Sequence, residues 1–87
     1  MENIIPDYKK PGPGKATRGA SGQYYYRPMG SDRVYEIHEF SRWDIGTRPH
    51  WNTRLVGDRD WFDSDNTLAG AKIIADNDAA YHAGVIR

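Results

Sequence analysis

Near the C-terminus, Leu68, Ala71, Ala75, Ala79 and His82 recur at spacings of three and four, with Ile74 at the margin. A helix with that pattern turns one narrow stripe toward its neighbour. Because the stripe is mostly alanine, whatever covers it must approach closely, and a sheet lying flat beneath the helix is the packing that fits. Asp63 or Ser64 is placed to cap the helix, Asp65 adds negative charge to its first turn, and Gly84 sits where a left-handed C-terminal cap is wanted. Gly70 weakens the helix slightly.

The remainder of the chain has to supply the opposing surface, and it does so with aromatics: three tryptophans, six tyrosines and two phenylalanines in 87 residues. A chain this short forms one domain with a thin stability margin, and aromatic side chains give more contact area per residue than aliphatic ones. There is no cysteine, which removes disulfides, thiolate ligands and thiol nucleophiles together and fits a reducing compartment. The apolar pair Ile4-Ile5 is closed by Pro6, so neither a secretory apolar region nor a membrane span can be drawn, and a cytoplasmic location is expected.

From Gln23 the residues favour a pleated, half-buried surface. The first strand is expected over Gln23–Arg27, and Pro28 with Met29-Gly30-Ser31-Asp32 turns it back. The return strand runs over Arg33–Ser41, with Tyr35 and Ile37 on one face and Val34, His38 and Phe40 on the other with Glu36; its imperfect alternation calls for a bulge or for burial on both faces. A helix begun by Ser31 is the rival reading, since Val34, Ile37 and Phe40 are spaced by three. Asp44–Pro49 reads as a loop and His50–Val56 as a third strand, while Trp61-Phe62 makes a short fourth strand or plugs the core. The expected fold is therefore α+β, a three- to four-stranded antiparallel sheet packed by one C-terminal helix over residues 23–87. Residues 1–22, rich in Pro, Gly and Lys, read as a flexible basic arm whose deletion leaves the fold intact.

Charge is balanced overall but unevenly spread. Up to Val56 there are nine basic residues against six acidic; from Gly57 onward there are three basic against six acidic. The split suits a molecule that offers partners one face of each sign, and it favours a homodimer in which opposite halves pair.

Chemistry-bearing constellations are sparse. His38, His50 and His82 are not spaced as ligands on one element. Asp58, Asp60, Asp63 and Asp65 fail the calcium-loop pattern, which wants glycine at the sixth position and glutamate at the twelfth. Gly12-Pro13-Gly14-Lys15 lacks phosphate-loop spacing, and no serine sits in a nucleophile-elbow context. The expectation is a non-enzymatic binding protein without metal or cofactor. A small hydrolase or nuclease, using His38 or His50 with aspartate-held metal, ranks third.

Two binding surfaces can be drawn. Tyr25, Arg27, Arg42, Trp43 and Trp51 are the aromatic and arginine residues suited to anchoring a protein interface. Alternatively Tyr24, Tyr26 and Tyr35 stack single-stranded bases, while Arg33, Arg27, Lys9 and Lys10 meet phosphates; zero net charge counts against a dedicated nucleic-acid binder.

From Trp51 onward, Val56-Gly57-Asp58, Trp61-Phe62-Asp63-Ser64 and the run Leu68 to Asp76 resemble the tail of small proteins encoded by tailed phages and prophages, over about forty residues. That resemblance implies a small antiparallel sheet closed by one helix. It also implies the company of anti-CRISPR and other anti-defence inhibitors or adaptors, which bind and block a larger host protein or nucleoprotein complex in the host cytoplasm.

Overall fold

The computed structural model describes residues 9–20, 22–40 and 50–84. Five antiparallel strands follow one another in chain order across a single sheet: β1 (Ala16–Arg18), β2 (Tyr24–Tyr26), β3 (Tyr35–Phe40), β4 (His50–Leu55) and β5 (Asp63–Asp65). Helix α1 (Leu68–His82) lies across one face. The α+β class and the C-terminal helix are as expected; among the described residues the strand count is five rather than three to four.

The extra strand comes from the stretch expected as an arm. Ala16–Arg18 pairs with Tyr24–Tyr26, Ala16 opposite Tyr26 and Arg18 opposite Tyr24. The glycines read as marks of a tether are turn residues. Lys15 N–H donates to Gly12 O, closing a turn with Pro13 and Gly14 at its centre, and Gly14 takes φ 71°, the left-handed value that position needs. Gly14 N–H donates to Arg27 O while Arg27 N–H donates to Lys15 O, so two residues of one strand face one of the other, a bulge that ends the pairing. Gly22 N–H donating to Gly19 O closes the β1–β2 hairpin. Residues 16–18, expected as part of the arm, are thus an edge strand, and Ala16 packs against the core. Residues 1–8 lie outside the described residues, as does Asp44–Pro49, the stretch expected as a loop.

The return strand settles as β3, and the rival helix is excluded. It is the central strand, flanked by β2 and β4, and its interrupted alternation reflects burial on both faces: Tyr35 and Ile37 are fully buried on the helix side, while Glu36 on the opposite side is only 8% exposed. The last strand begins at Asp63, beyond Trp61-Phe62, because those two rings are used elsewhere. Phe62 N–H bonds Thr53 O and its ring meets the edge of Tyr35; Trp61 stacks on Arg54.

Asp63 and Ser64 are consumed by pairing with β4, so neither caps α1. Thr67 is the cap, its Oγ1 accepting from Gly70 N–H at 2.9 Å, and Asp65 steadies it by accepting from Thr67 N–H and Oγ1–H, both at 3.0 Å. At the other end Gly84 takes φ 79°, as its position predicts. Ala71, Ala75 and Ala79 are buried on Tyr26, Tyr35 and Ile37, with Leu68 at the margin; His82, expected to complete the stripe, is exposed and faces Asp78. A methyl group is all that fits where the helix meets tyrosine rings, which is why the stripe is alanine.

Candidate binding surface

The helix side of the sheet is sealed by a repeated device. Tyr26 and Tyr35 lie opposite each other on β2 and β3 and run under α1. Their hydroxyls emerge at the helix margins, where Tyr26 donates to Asp76 Oδ1 at 2.7 Å and Tyr35 to Asp78 Oδ2 at 2.6 Å. A buried phenol needs a partner for its O–H, and the two aspartates flanking the alanine stripe provide it. Burial, with the neighbouring carboxylate second, pushes each hydroxyl up to about 12. Arg33 donates to Tyr35 Oη at 2.9 Å and also reaches Asp78, so its guanidinium is held firmly protonated, chiefly by the tyrosine bond.

The opposite face carries a polar stack. Glu36 and Arg54 are cross-strand partners joined at 2.9 Å, and Arg54 lies 4.1 Å from the centre of the Trp61 ring, which also meets the edge-on ring of His38 at 6.3 Å between centroids. Arg54 is thereby fixed on both sides, and the stack serves to hold the 56–62 connection against the sheet.

These arrangements decide the fate of the residues singled out from sequence. Tyr25 is fully buried, its hydroxyl accepting from Gln23 Nε2 at 3.0 Å. Arg27 is spent on its own turn, donating to Ser31 O at 2.7 Å and Asp32 Oδ1 at 2.8 Å. Trp51 is half-buried against the core beside Tyr24, with ring centroids 6.1 Å apart. Arg42 and Trp43 lie outside the described residues. Tyr25, Arg27 and Trp51 therefore do not form one exposed patch. The stacking platform is likewise dismantled: Tyr26 and Tyr35 are under the helix, and Arg33 is tied to Tyr35 and Asp78. Tyr24 keeps Arg18 over its ring at 5.2 Å; Lys9 and Lys10 are exposed.

What sequence reasoning missed is a groove between the 28–31 turn and the C-terminal half of α1. It encloses about 410 Å³ between Pro28 and Met29 on one side and Ala79, Ala80 and Ala83 on the other, with the Tyr26–Asp76 bond within it. Met29 stands at its lip, 75% exposed. The signal was present in the run of small residues Ala79, Ala80 and Ala83 opposite a turn bearing a methionine, a flexible and polarisable side chain suited to adaptable contacts. Among the described residues no group of His, Asp and Glu is arranged to hold a metal, and no helix is long and apolar enough to cross a membrane. Comparison with known proteins finds no matching family model, no matching characterised protein and no matching solved structure.

Proposed function

We propose that this chain is a non-enzymatic binding protein of the inhibitor or adaptor kind. In this reading it occludes a surface of a larger host protein complex in the cytoplasm, and its likeness to small phage proteins points to an anti-defence role. The observation that carries the reading is the groove. Its alanine wall leaves room for one bulky apolar side chain of a partner, Met29 can close over that side chain, and the floor offers a carboxylate for a neighbouring donor. Anchoring by one inserted side chain in a desolvated pocket is how compact interfaces concentrate their binding energy. With Tyr26 and Tyr35 buried, the alternative of a single-strand binder rests, among the described residues, on Tyr24, Arg18 and the basic residues Lys9, Lys10 and Lys15.

The test is affinity capture from host lysate with the natural chain and with Ala80→Trp, which fills the groove from the helix surface. A stoichiometric protein partner captured by the first and lost with the second supports the proposal. Capture of no stoichiometric partner, or equal capture by both, refutes it. Anisotropy with labelled oligonucleotides at two salt concentrations tests the alternative, since phosphate contacts must weaken with salt.

A further inference from the structure

Among the described residues the sheet is open at both ends, and its two edges carry opposite charge. Among the same residues β1 pairs with β2 alone and β5 with β4 alone; on β5 the outward residue is Ser64, whose N–H donates to its neighbour's carboxylate, Asp63 Oδ1, at 2.8 Å, so a strand pairing there displaces that local bond. Arg27 N–H donates to Lys15 O and Gly19 N–H to Gln23 O, so residues 15 and 19 bond inward; by the alternation of an antiparallel ladder, the backbone groups of Ala16 and Arg18 point outward. Around this edge stand Lys15 and Arg18, with Lys9 held beside the strand through its carbonyl, which accepts from Thr17 Oγ1 at 3.0 Å; residues 9–18 include no acid. At the other edge, Asp63 and Asp65 lie within β5 and Asp58 and Asp60 on the turn leading to it, with Arg59 the one basic residue of the stretch.

An unpaired strand edge is a template for another strand, and charge placed there determines which strand is accepted. Two β1 edges brought together oppose like charges, as do two β5 edges. We infer that the basic β1 edge of one copy pairs with the acidic β5 edge of a second copy, extending the sheet from molecule to molecule. Such a contact joins two different surfaces, so it does not close with two copies and continues into chains or rings. The strands are only three residues long, which keeps each contact weak and makes assembly depend on concentration and ionic strength. The groove beside α1 takes no part, so this association stands independently of the proposed partner binding.

Two variants reverse one edge each: Asp58→Lys with Asp60→Lys and Asp63→Lys makes both edges basic, and Lys9→Glu with Lys15→Glu and Arg18→Glu makes both acidic. All six side chains are exposed, and circular dichroism confirms that each variant is folded. In sedimentation from about 10 to about 500 μM at low salt, the natural chain is expected to rise in mass with concentration and to return to monomer near 1 M salt, where the screening length shrinks to about 3 Å. Each variant alone stays monomeric, and their equimolar mixture regains the higher mass. In the natural chain, the amides of Ala16 and Arg18 slow in hydrogen exchange as it associates. Should one variant fail to fold, the exchange and salt dependence of the natural chain still decide the matter. A natural chain that stays monomeric, an assembly indifferent to salt, a mixture of folded variants without association, or unslowed Ala16 and Arg18 amides would each overturn the inference. So would a mass that rises only on adding oligothymidylate, which would assign the basic edge to nucleic acid.

Discussion

The two tyrosine–aspartate bonds make the fold sensitive to alkali in a way that can be worked out from the structure. Tyr26 and Tyr35 ionise near 12 in the folded chain against 10.0 ordinarily. The folded state thus holds these protons more tightly than the unfolded state, so the stabilisation is fully present below pH 10 and is lost as pH rises through 12. A two-unit difference corresponds to about 2 kcal/mol per tyrosine lost by pH 12. The hydroxyls sit at the helix margins near water, and screening lowers the figure to about 1–2 kcal/mol each. Together they remove about 2–4 kcal/mol from a stability that for 87 residues is about 4–13 kcal/mol. The double variant Tyr26→Phe with Tyr35→Phe loses both bonds, and at about pH 8 it should be less stable than the natural chain by about 1–2 kcal/mol per hydroxyl. It also has no raised phenols to titrate, so the gap should narrow steadily between about pH 10 and about pH 12. Urea denaturation followed by far-ultraviolet circular dichroism at several alkaline pH values measures this, and phenolate absorbance should show two late tyrosines in the natural chain that the variant lacks. If both proteins lose stability in parallel across that range, or no tyrosine titrates late, the account of the helix margin is wrong.

Three further outcomes follow from local geometry. A Cβ at Gly70 would overlap the Asp65 carboxylate, so Gly70→Ala should destabilise the natural chain by about 1 kcal/mol, yet stabilise an Asp65→Ala background by about the same amount, where only helix propensity remains; thermal melts of the four proteins decide it. Gly14→Ala forces a side chain onto φ 71° and against the Met29 methyl and should cost about 1–2 kcal/mol in urea denaturation, mainly through the backbone because Met29 can move. Thr53 is fully buried and its hydroxyl has no hydrogen-bond partner among the described residues; Thr53→Val keeps the shape, removes that hydroxyl and should raise the melting temperature, with a gain of about 1 kcal/mol.

The elements with strong local signals were legible from the chain alone. The alanine stripe with Gly84 beyond it specifies a helix lying close on a sheet, because spacing and side-chain size depend on nothing distant. The 28–31 turn and the strands beside it were equally plain, since Pro28 fixes its own φ and Gly30 readily takes the left-handed φ, here 78°, whatever surrounds them. Other features depended on residues far apart in the chain. Pro and Gly at positions 11–22 have the composition of a tether and of a tight hairpin alike, and the pairing of Ala16–Arg18 with Tyr24–Tyr26 is what selects the hairpin. Asp63 has the chemistry of a helix cap and of a strand residue, and β4 claims it as a strand. The tyrosines show the same division most clearly. Sequence places Tyr24 and Tyr26 on one face and Tyr25 on the other, because side chains alternate along any strand. Whether a face is covered depends on where α1 comes to rest, and Asp76 and Asp78, about fifty and forty residues along the chain from the tyrosines they accept from, turn a prospective stacking surface into the core.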